Sequence, residues 1–277
     1  MDYLRQVLAA HGVTPQRSSG QNFLTCEEIV EATLLALTGG PRLVTELGSG
    51  VGTLTQALVS SGFSVRAIER DKTLARILEK QLPKKLRDHV EIVTDDLREV
   101  DWPFDSAQGK AYSLVGNIPY NLSGWIIRRI TQLSPAPERV VLLLQQEVAD
   151  RLVASPPHMN MLGLAAQLWG TVQRLMSVPA SCFWPAPEVQ SSLVFLAPHL
   201  DSEASSGERE KILQFAKQFF QMKRKQMGGV MKRVYGVQDE EARKWLAAAG
   251  ERPESRPQEL SVEAWKRLAQ TVIKAIL

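Results

Sequence analysis

The sequence predicts an α/β domain with a largely parallel sheet, followed by a smaller all-helical domain. Over the first two-thirds of the chain, short apolar runs alternate with segments of helical periodicity, which is the pattern of a layered α/β fold. A stretch of small and polar residues follows at 199–208, and only helical patterns come after it. We therefore predict one domain over residues 1–200 and a second domain over residues 203–277.

Each predicted element follows from its own pattern. The first long helix, at 27–37, has a helical apolar period and ends before two glycines, which commonly terminate helices. Short apolar runs predict strands at 43–47, 64–69, 89–93, 112–116, 140–144 and 193–196. Helical periods predict helices at 53–60, 72–82, 123–132 and 147–153, and later at 211–222, near 231, at 240–249 and at 262–276.

Composition excludes several classes of protein. With 277 residues, 44% of them hydrophobic and 23% charged, the chain resembles neither a disordered nor a fibrous protein. Cys26 and Cys182 are too few for a disulfide scaffold or a cysteine-based zinc site and fit a reducing compartment. The four histidines lack metal-binding spacing, and the apolar run at 140–144 is far shorter than the roughly 20 residues of a membrane span. We expect a soluble cytoplasmic protein without a metal centre.

A glycine-rich loop, ELGSGVG at 46–52, follows the first predicted strand of the sheet. Gly48 and Gly50 allow a sharp turn and a close approach of the backbone to a ligand. A dinucleotide-binding motif would have its third glycine where Thr53 stands, so the match to that motif is incomplete. Glu69 ends the next strand, at the spacing from Gly48 where an acid can bind ribose hydroxyls. A tight turn without a ligand is the alternative.

Two adjacent acids, Asp95 and Asp96, end the third strand of the sheet. An acid there can accept a hydrogen bond from the amino group of adenine, whereas an Asx turn is the purely structural explanation. With Gly48 and Glu69 it forms a line of groups along the carboxyl edge of the sheet, where such folds bind ligands. This line suits S-adenosylmethionine better than NAD, because that cofactor has no pyrophosphate and Glu46 can face its cationic end.

The fourth strand ends in the loop GNIPYNLS at 116–123, in which Asn117, Pro119 and Tyr120 predict a rigid shelf. The Asn117 amide oxygen and a neighbouring carbonyl can accept both protons of a planar amino group, and Tyr120 offers a ring face to a flipped base. Two acceptors favour a tetrahedral nitrogen whose lone pair points at a methyl donor, so orientation carries much of the catalysis. A loop without function is the alternative.

Four motifs in order resemble the ribosomal RNA adenine N6-dimethyltransferase family. They are GQNFL at 20–24, NIPYNLS at 117–123, EVADRL at 147–152 and SCFWPAPEVQS at 181–191, within a resemblance that spans 15–198 and weakens beyond. The resemblance implies a Rossmann-like class I methyltransferase sheet, with S-adenosyl-L-methionine as methyl donor. It also implies the transfer of two methyl groups to N6 of each of two adjacent adenosines. In bacteria these adenosines lie in the 3′-terminal hairpin loop of 16S rRNA within the immature 30S subunit.

The resemblance also implies roles for particular residues. Asn22 and Leu24 would cover the cofactor, and Glu46, Gly48, Gly50, Glu69 and Asp95 would bind it, while Asn117 would contact both cofactor and amine. Tyr120 and Phe183 would hold the target adenine between their rings, beside Asn117 and Pro119. The chain departs from the family at Asp96, where many members have a small or apolar residue, and at 156–163.

The second domain carries a basic run. Between Glu210 and Asp239 there are seven basic residues and no acid, and Phe215, Phe219 and Phe220 predict an opposite, packed face. A solvated helix surface is the alternative. Beside an adenine-methylating domain we predict RNA binding by Lys223, Arg224, Lys225, Lys232 and Arg233.

Three functions remain open at this stage. The first is the small-subunit rRNA dimethyltransferase, and the second is the related methyltransferase of large-subunit rRNA that confers macrolide resistance. The third is a non-catalytic RNA-binding assembly factor that retains the fold. No exposed apolar stripe in the sequence requires a partner subunit, so we expect a monomer.

Overall fold

The computed structural model describes residues 2–15, 21–103, 109–199 and 206–276. They form two compact units, one of Met1–Ala149 with Val172–Pro198 and one of Asp150–Thr171 with His199–Leu277. The sequence placed a boundary near residue 200, and the structure differs in that residues 150–171 join the second unit. The reason is apolar packing, because Leu164 and Leu168 lie in the same buried cluster as the C-terminal helices.

The first unit is built on a seven-stranded sheet of order β4-β3-β2-β5-β6-β9-β7. Its strands are β2 (Leu43–Leu47), β3 (Ser64–Ile68), β4 (Val90–Val93), β5 (Ser113–Asn117), β6 (Arg139–Gln145), β7 (Gly170–Val178) and β9 (Ser191–Pro198). The strands β4, β3, β2, β5 and β6 run parallel, and β9 pairs antiparallel with β6. The predicted parallel α/β sheet is confirmed. Its strand order changes direction between β2 and β5. A switch of this kind places a crevice at the carboxyl ends of these two strands.

The helices of the first part of the chain are α1 (Asp2–Ala10), α2 (Glu27–Leu37), α3 (Thr53–Ser60), α4 (Lys72–Gln81), α5 (Ser123–Ile130) and α6 (Gln146–Leu152). The five central residues of β6 are buried, which explains the continuous apolar run that predicted it. The side chain of Asp71 accepts hydrogen bonds from Thr73 N–H and Leu74 N–H, and this cap fixes the start of α4.

The second unit contains α7 (Met161–Trp169), α8 (Ser206–Phe220), α9 (Met227–Tyr235), α10 (Asp239–Ala248) and α11 (Val262–Ile276). Phe215 and Phe219 are buried on α8 and contact Trp265 of α11 edge to face, with ring centroids 6.2 and 5.7 Å apart. The prediction that the phenylalanines of this segment form a packed face is therefore correct.

Two short strands that the sequence did not predict tie distant parts of the chain together. They are β1 (Phe23–Leu24) and β8 (Phe183–Trp184), which pair antiparallel with Leu24 opposite Phe183. A two-residue strand leaves no periodic pattern, so only the structure reveals this pairing. No helix among the described residues is both long and apolar enough to cross a membrane.

Candidate functional site

A cavity of about 370 Å³ opens at the carboxyl edge of the parallel strands. Its walls come from five segments of the chain: residues within 21–24, 46–54, 68–74, 96–98 and 117–122. The last four of these segments follow β2, β3, β4 and β5, which end at the same edge of the sheet. The sequence motifs thus converge on one place, as the order of the strands requires.

The glycine loop after β2 is shaped by hydrogen bonds to β3. Gly48 and Gly50 have φ angles of 76° and 56°, a region that favours glycine. The N–H groups of Gly48 and Ser49 donate to the Ile68 carbonyl at 2.9 and 3.1 Å, and Gly50 N–H donates to Glu69 Oε2 at 2.8 Å. A phosphate cradle needs N–H groups that point to the ligand, and these three are already engaged within the protein. The loop therefore favours a nucleoside without a pyrophosphate.

Glu46, at the end of β2, is a buried acid on the cavity wall. Glu46 is 2% exposed, and the Thr55 hydroxyl donates to its Oε2 at 2.5 Å. Burial raises the pKa of Glu46 to about 8, and the nearby carboxylate of Glu69 adds to this rise. A cationic ligand group beside Glu46 would favour its ionised form, so this position suits a positively charged ligand.

Glu69 follows β3 and links the glycine loop to the start of α4. Its Oε2 accepts from Gly50 N–H and its Oε1 from Asp71 N–H, both at 2.8 Å. Burial raises the pKa of Glu69, although the two backbone hydrogen bonds oppose this effect. Each carboxylate oxygen has a second acceptor position, so the group fixes the loop and can still accept from vicinal hydroxyls.

The acid that lines the cavity after β4 is Asp96, and the predicted residue, Asp95, does not line it. Asp95 is exposed, and its Oδ1 accepts from Asp96 N–H at 2.7 Å, whereas Asp96 Oδ1 accepts from Arg98 N–H at 2.9 Å, as in an Asx turn. Asp96 instead accepts from Arg98 Nε and Nη2 at 3.0 and 2.8 Å, with Arg70 at 3.6 Å. Hydrogen bonds from Arg98 hold the pKa of Asp96 well below its usual range. The turn after the strand thus places Asp96, and not the predicted Asp95, on the cavity wall.

Asn117 ends β5 and lines the cavity together with Pro119. Its Nδ2 donates to the Asn22 carbonyl at 2.6 Å, and this bond assigns the amide orientation and leaves Oδ1 as the acceptor. Asn22 and Leu24 also line the cavity, as predicted for residues that cover a ligand. Gly20 of the same motif lies outside the described residues.

The two rings that were predicted to stack on the base, those of Tyr120 and Phe183, do not line the cavity. Tyr120 is half-buried and its hydroxyl lies 3.0 Å from Ser191 Oγ, while the ring is not part of the cavity wall. Phe183 is 2% exposed, opposite Leu24 in the two-stranded sheet. The Phe183 ring lies in a buried apolar cluster that includes Leu24 and Ile29, so it is not part of the cavity wall in this structure.

Cys26 and Cys182 form a disulfide, a pairing that the sequence did not predict. Cys26 lies two residues after β1 and Cys182 lies directly before β8, and Thr25 N–H donates to the Cys182 carbonyl at 2.8 Å. The separation of 156 residues gave no sign of the pairing in the sequence. The bond fastens the segment that covers the cavity to the segment that contains Phe183.

The residues of the cavity fit S-adenosylmethionine. Ser49 lines the cavity, and its buried hydroxyl has no hydrogen-bond partner within the described structure, so a ligand can supply one. A Cβ at Gly50 would lie 3.3 Å from the Phe23 ring, so a larger residue would narrow the cavity. Sequence reasoning missed Ser49, although its place between two ligand-approaching glycines was a usable signal. In the described ranges, no cluster of three or more His, Cys, Asp or Glu residues could hold a metal ion.

The basic run of the second unit lies at the surface. Its predicted RNA-binding residues are all exposed: Lys223, Arg224 and Lys225 follow α8, and Lys232 and Arg233 lie on α9. Lys232 is paired with Asp239 at 2.8 Å, so its charge is partly neutralised. The other four have no ion pair with the residues that the structure describes.

Comparison with known sequences supplies the family. The profile described as ribosomal RNA adenine dimethylase matches residues 13–273, almost the whole chain. The chain belongs to this family. A relative from Desulfitobacterium hafniense, named ribosomal RNA small subunit methyltransferase A, is 31% identical over 99% of this chain and 97% of its own length. A relative of the same name from Opitutus terrae is 34% identical over 95% of each chain.

Two solved structures share the fold. A dimethyladenosine transferase from Plasmodium falciparum has a TM-score of 0.75 at 21% identity, over 92% of this chain and 98% of its own. The 23S rRNA methyltransferase ErmE has a TM-score of 0.73 at 22% identity, over 91% of this chain and 100% of its own. Both confirm the predicted Rossmann-like methyltransferase sheet with a helical C-terminal part. Family and fold together make this chain an rRNA methyltransferase.

Proposed function

We propose that this protein transfers methyl groups from S-adenosylmethionine to N6 of two adjacent adenosines in the 3′-terminal hairpin loop of 16S rRNA. The substrate would be the immature 30S subunit, and the protein would act as a cytoplasmic monomer. The two relatives named above are small-subunit methyltransferases and match this chain over nearly its full length, which favours 16S over 23S rRNA. The structural observation that carries the proposal is Asn117, whose amide is oriented at the cavity by the Asn22 carbonyl.

The cofactor would lie along the carboxyl edge of the sheet. Glu69 would accept hydrogen bonds from the ribose hydroxyls, and Asp96, in place of Asp95, would accept one from the adenine amine. Glu46 would face the cationic end, where the positive charge of the ligand would lower the raised pKa of Glu46 and favour the carboxylate. When bound, S-adenosylmethionine supplies a methyl group on a positively charged sulfur. The Ser49 hydroxyl would gain the partner that it lacks within the described structure.

Asn117 would act on the target amine through its oxygen. The lone pair of an aromatic amine is delocalised into the ring, which makes the nitrogen a poor nucleophile. A hydrogen bond from the amine to Asn117 Oδ1, and a second to a backbone carbonyl of the same loop, would favour a tetrahedral nitrogen. Pro119 keeps this loop rigid at the cavity, so the acceptors are in place before the base arrives. The chain thereby contributes orientation and hydrogen bonding and forms no covalent intermediate.

The base would be held by the ring of Tyr120, with Phe183 on its other side. Tyr120 lies in the same loop as Asn117, three residues further along the chain, so its ring would be near the amine that the loop binds. Phe183 lies buried in an apolar cluster that includes Leu24. Stacking on both rings would therefore require the Phe183 ring to become exposed when the base enters. Lys223, Arg224, Lys225 and Arg233 would contact rRNA phosphates, with a smaller share from the ion-paired Lys232.

The test is transfer of tritiated methyl groups to 30S subunits that lack adenine dimethylation, with 50S subunits as the control. We expect labelled N6,N6-dimethyladenosine in 30S subunits alone. Label in 50S subunits alone would assign the protein to the class that methylates 23S rRNA. Bound cofactor without label in either subunit would assign it to the non-catalytic RNA-binding factors.

A further inference from the structure

A second groove lies in the first unit, on the outer edge of its sheet between α4 and β4. It has a volume of about 500 Å³ and an apolar floor that includes Leu82 and Ile92. Its rim carries three cations, Lys72, Arg76 and Arg87, and a single acid, Glu79. The sequence motifs did not point to this groove, because α4 and the turn after it belong to no family signature.

The segment that forms the rim is strongly basic. From 72 to 87 there are six basic residues and one acid, an excess of five, whereas the whole chain has a net charge of only +3. All six basic residues are exposed: Lys72, Arg76, Lys80, Lys84, Lys85 and Arg87. None of them has an ion pair with the residues that the structure describes. An unneutralised cluster of this kind attracts a polyanion.

Two arginines near the groove differ from this cluster in that they have an acidic partner. Arg70 and Arg98, at the carboxyl edge of the sheet, both pair with Asp96, so their charge is partly compensated within the protein. Arg87 instead donates its Nε–H to the Leu82 carbonyl at 3.2 Å, which holds the side chain while its terminal nitrogens have no protein acceptor in the described ranges. A fixed guanidinium with free terminal N–H groups is well suited to a phosphate.

The groove adjoins the candidate cofactor cavity at two points. Lys72 lines the groove and Asp71 lines the cavity, so the two openings share the first turn of α4. Thr94 lines the groove and Asp96 lines the cavity, two residues apart after β4. A chain of phosphates in the groove would therefore pass beside the end of the cavity that is proposed to hold the adenosine of the cofactor.

We propose that the α4–β4 groove is a second rRNA-binding surface, which holds phosphates of the substrate RNA on the methyltransferase unit itself. This proposal rests on the proposed function for the identity of the RNA. The groove would act in addition to the basic run at 223–233, and it would bind through the phosphate backbone without reading the bases.

The test compares two variants that lose the same charge. The groove variant combines Lys72→Gln, Arg76→Gln and Arg87→Gln. The control variant combines Arg128→Gln, Lys244→Gln and Lys274→Gln, which are also exposed and have no ion pair within the described structure. Binding of the full-length proteins to protein-free 16S rRNA and to undimethylated 30S subunits is measured over a range of salt concentrations, and S-adenosylmethionine affinity is measured by calorimetry.

We expect the groove variant to bind both RNAs about tenfold more weakly near 0.1 M salt, with a salt dependence shallower by about two in log–log slope. The control variant should stay within about twofold of wild type, and all three proteins should bind S-adenosylmethionine equally. Equal RNA affinity and slope in the two variants would overturn the groove proposal. A loss confined to 30S subunits, with 16S rRNA binding intact, would assign the groove to a ribosomal protein and also overturn it. Failure of wild type to methylate 30S subunits would overturn the proposed function, and the rRNA-binding comparison would still decide the groove.

Discussion

The two sides of the candidate site differ in how their polar groups are held. On the cofactor side, Glu46, Glu69 and Asp96 each accept hydrogen bonds from the protein itself, from Thr55, from backbone N–H groups and from Arg98. On the base side, Tyr120 has one hydroxyl contact and Phe183 is covered. The cofactor side is thus preformed, whereas on the base side Tyr120 has a single hydroxyl contact and the buried Phe183 ring must become exposed before a base can stack on it. Each prediction below tests one side of this comparison, in order of decreasing effect.

The largest expected effect concerns the buried acid of the cofactor side. Because the folded-state pKa of Glu46 is about 8, the folded protein keeps a proton that the unfolded chain loses above about pH 4.5. Stability should therefore fall as pH rises from about 4.5 to 8 and show no further loss from this group above pH 8. Glu46→Gln removes this dependence. The difference in the free energy of unfolding between wild type and variant should therefore change by on the order of 4 kcal/mol between about pH 4.5 and 8.

The measurement is urea unfolding of wild type and Glu46→Gln at pH 5, 6.5 and 8. Thr55→Val, which removes the hydroxyl that donates to Glu46, serves as the comparison variant. If the free energy of unfolding depends on pH in the same way in wild type and Glu46→Gln, Glu46 is ionised in the folded protein. The prediction of a preformed site for a cationic ligand group would then be wrong.

The second prediction concerns the acceptor at the junction of the two sides. Asn117→Ala removes the amide oxygen that would accept the target amine proton in the transition state. We expect kcat to fall about 10²–10³-fold, the usual loss when one transition-state hydrogen bond is removed. Calorimetry should show S-adenosylmethionine affinity within severalfold of wild type. A variant with near-normal kcat would show that Asn117 is not the catalytic acceptor.

The cofactor side of the site could be predicted from the sequence better than the base side. The segments after β2, β3 and β5 each carry a local signature, so Glu46, Gly48, Glu69 and Asn117 were predicted and all line the cavity. Parallel strands bring their carboxyl ends to one edge whatever the details of packing, which is why this part needed no tertiary information.

The remaining features depend on contacts that no local pattern encodes. The choice between Asp95 and Asp96 depends on the turn after β4 and on the partnership with Arg98. The burial of Phe183 depends on an apolar cluster drawn from distant segments, and the disulfide depends on two cysteines far apart in the chain. The membership of residues 150–171 in the second unit was missed for the same reason, because an apolar helix does not indicate which core it joins.

The third prediction separates the two acids after β4. Asp96→Asn removes the charge on the cavity wall, and we expect the Kd for S-adenosylmethionine to rise about tenfold, equivalent to about 1.4 kcal/mol. Asp95→Asn is the matched control, an exposed neighbour outside the cavity wall, and should change the Kd by less than about twofold. The reverse order of effects would restore Asp95 as the adenine-binding acid.

The smallest expected effect tests the single contact of the base side. Ser191→Ala removes the hydroxyl that lies 3.0 Å from the Tyr120 hydroxyl, so the ring should lose its anchor while the cofactor side stays intact. We expect kcat/KM for 30S subunits to fall several-fold, by about 1 kcal/mol, with an unchanged Kd for S-adenosylmethionine. Ser192→Ala is the matched control, since that neighbouring buried hydroxyl has no partner among the described residues. Tyr120→Phe should show the same loss as Ser191→Ala, and the double variant no more than either. Additive losses would mean that Ser191 acts on the fold and not through Tyr120, and the base side would then be held by the packing of its rings.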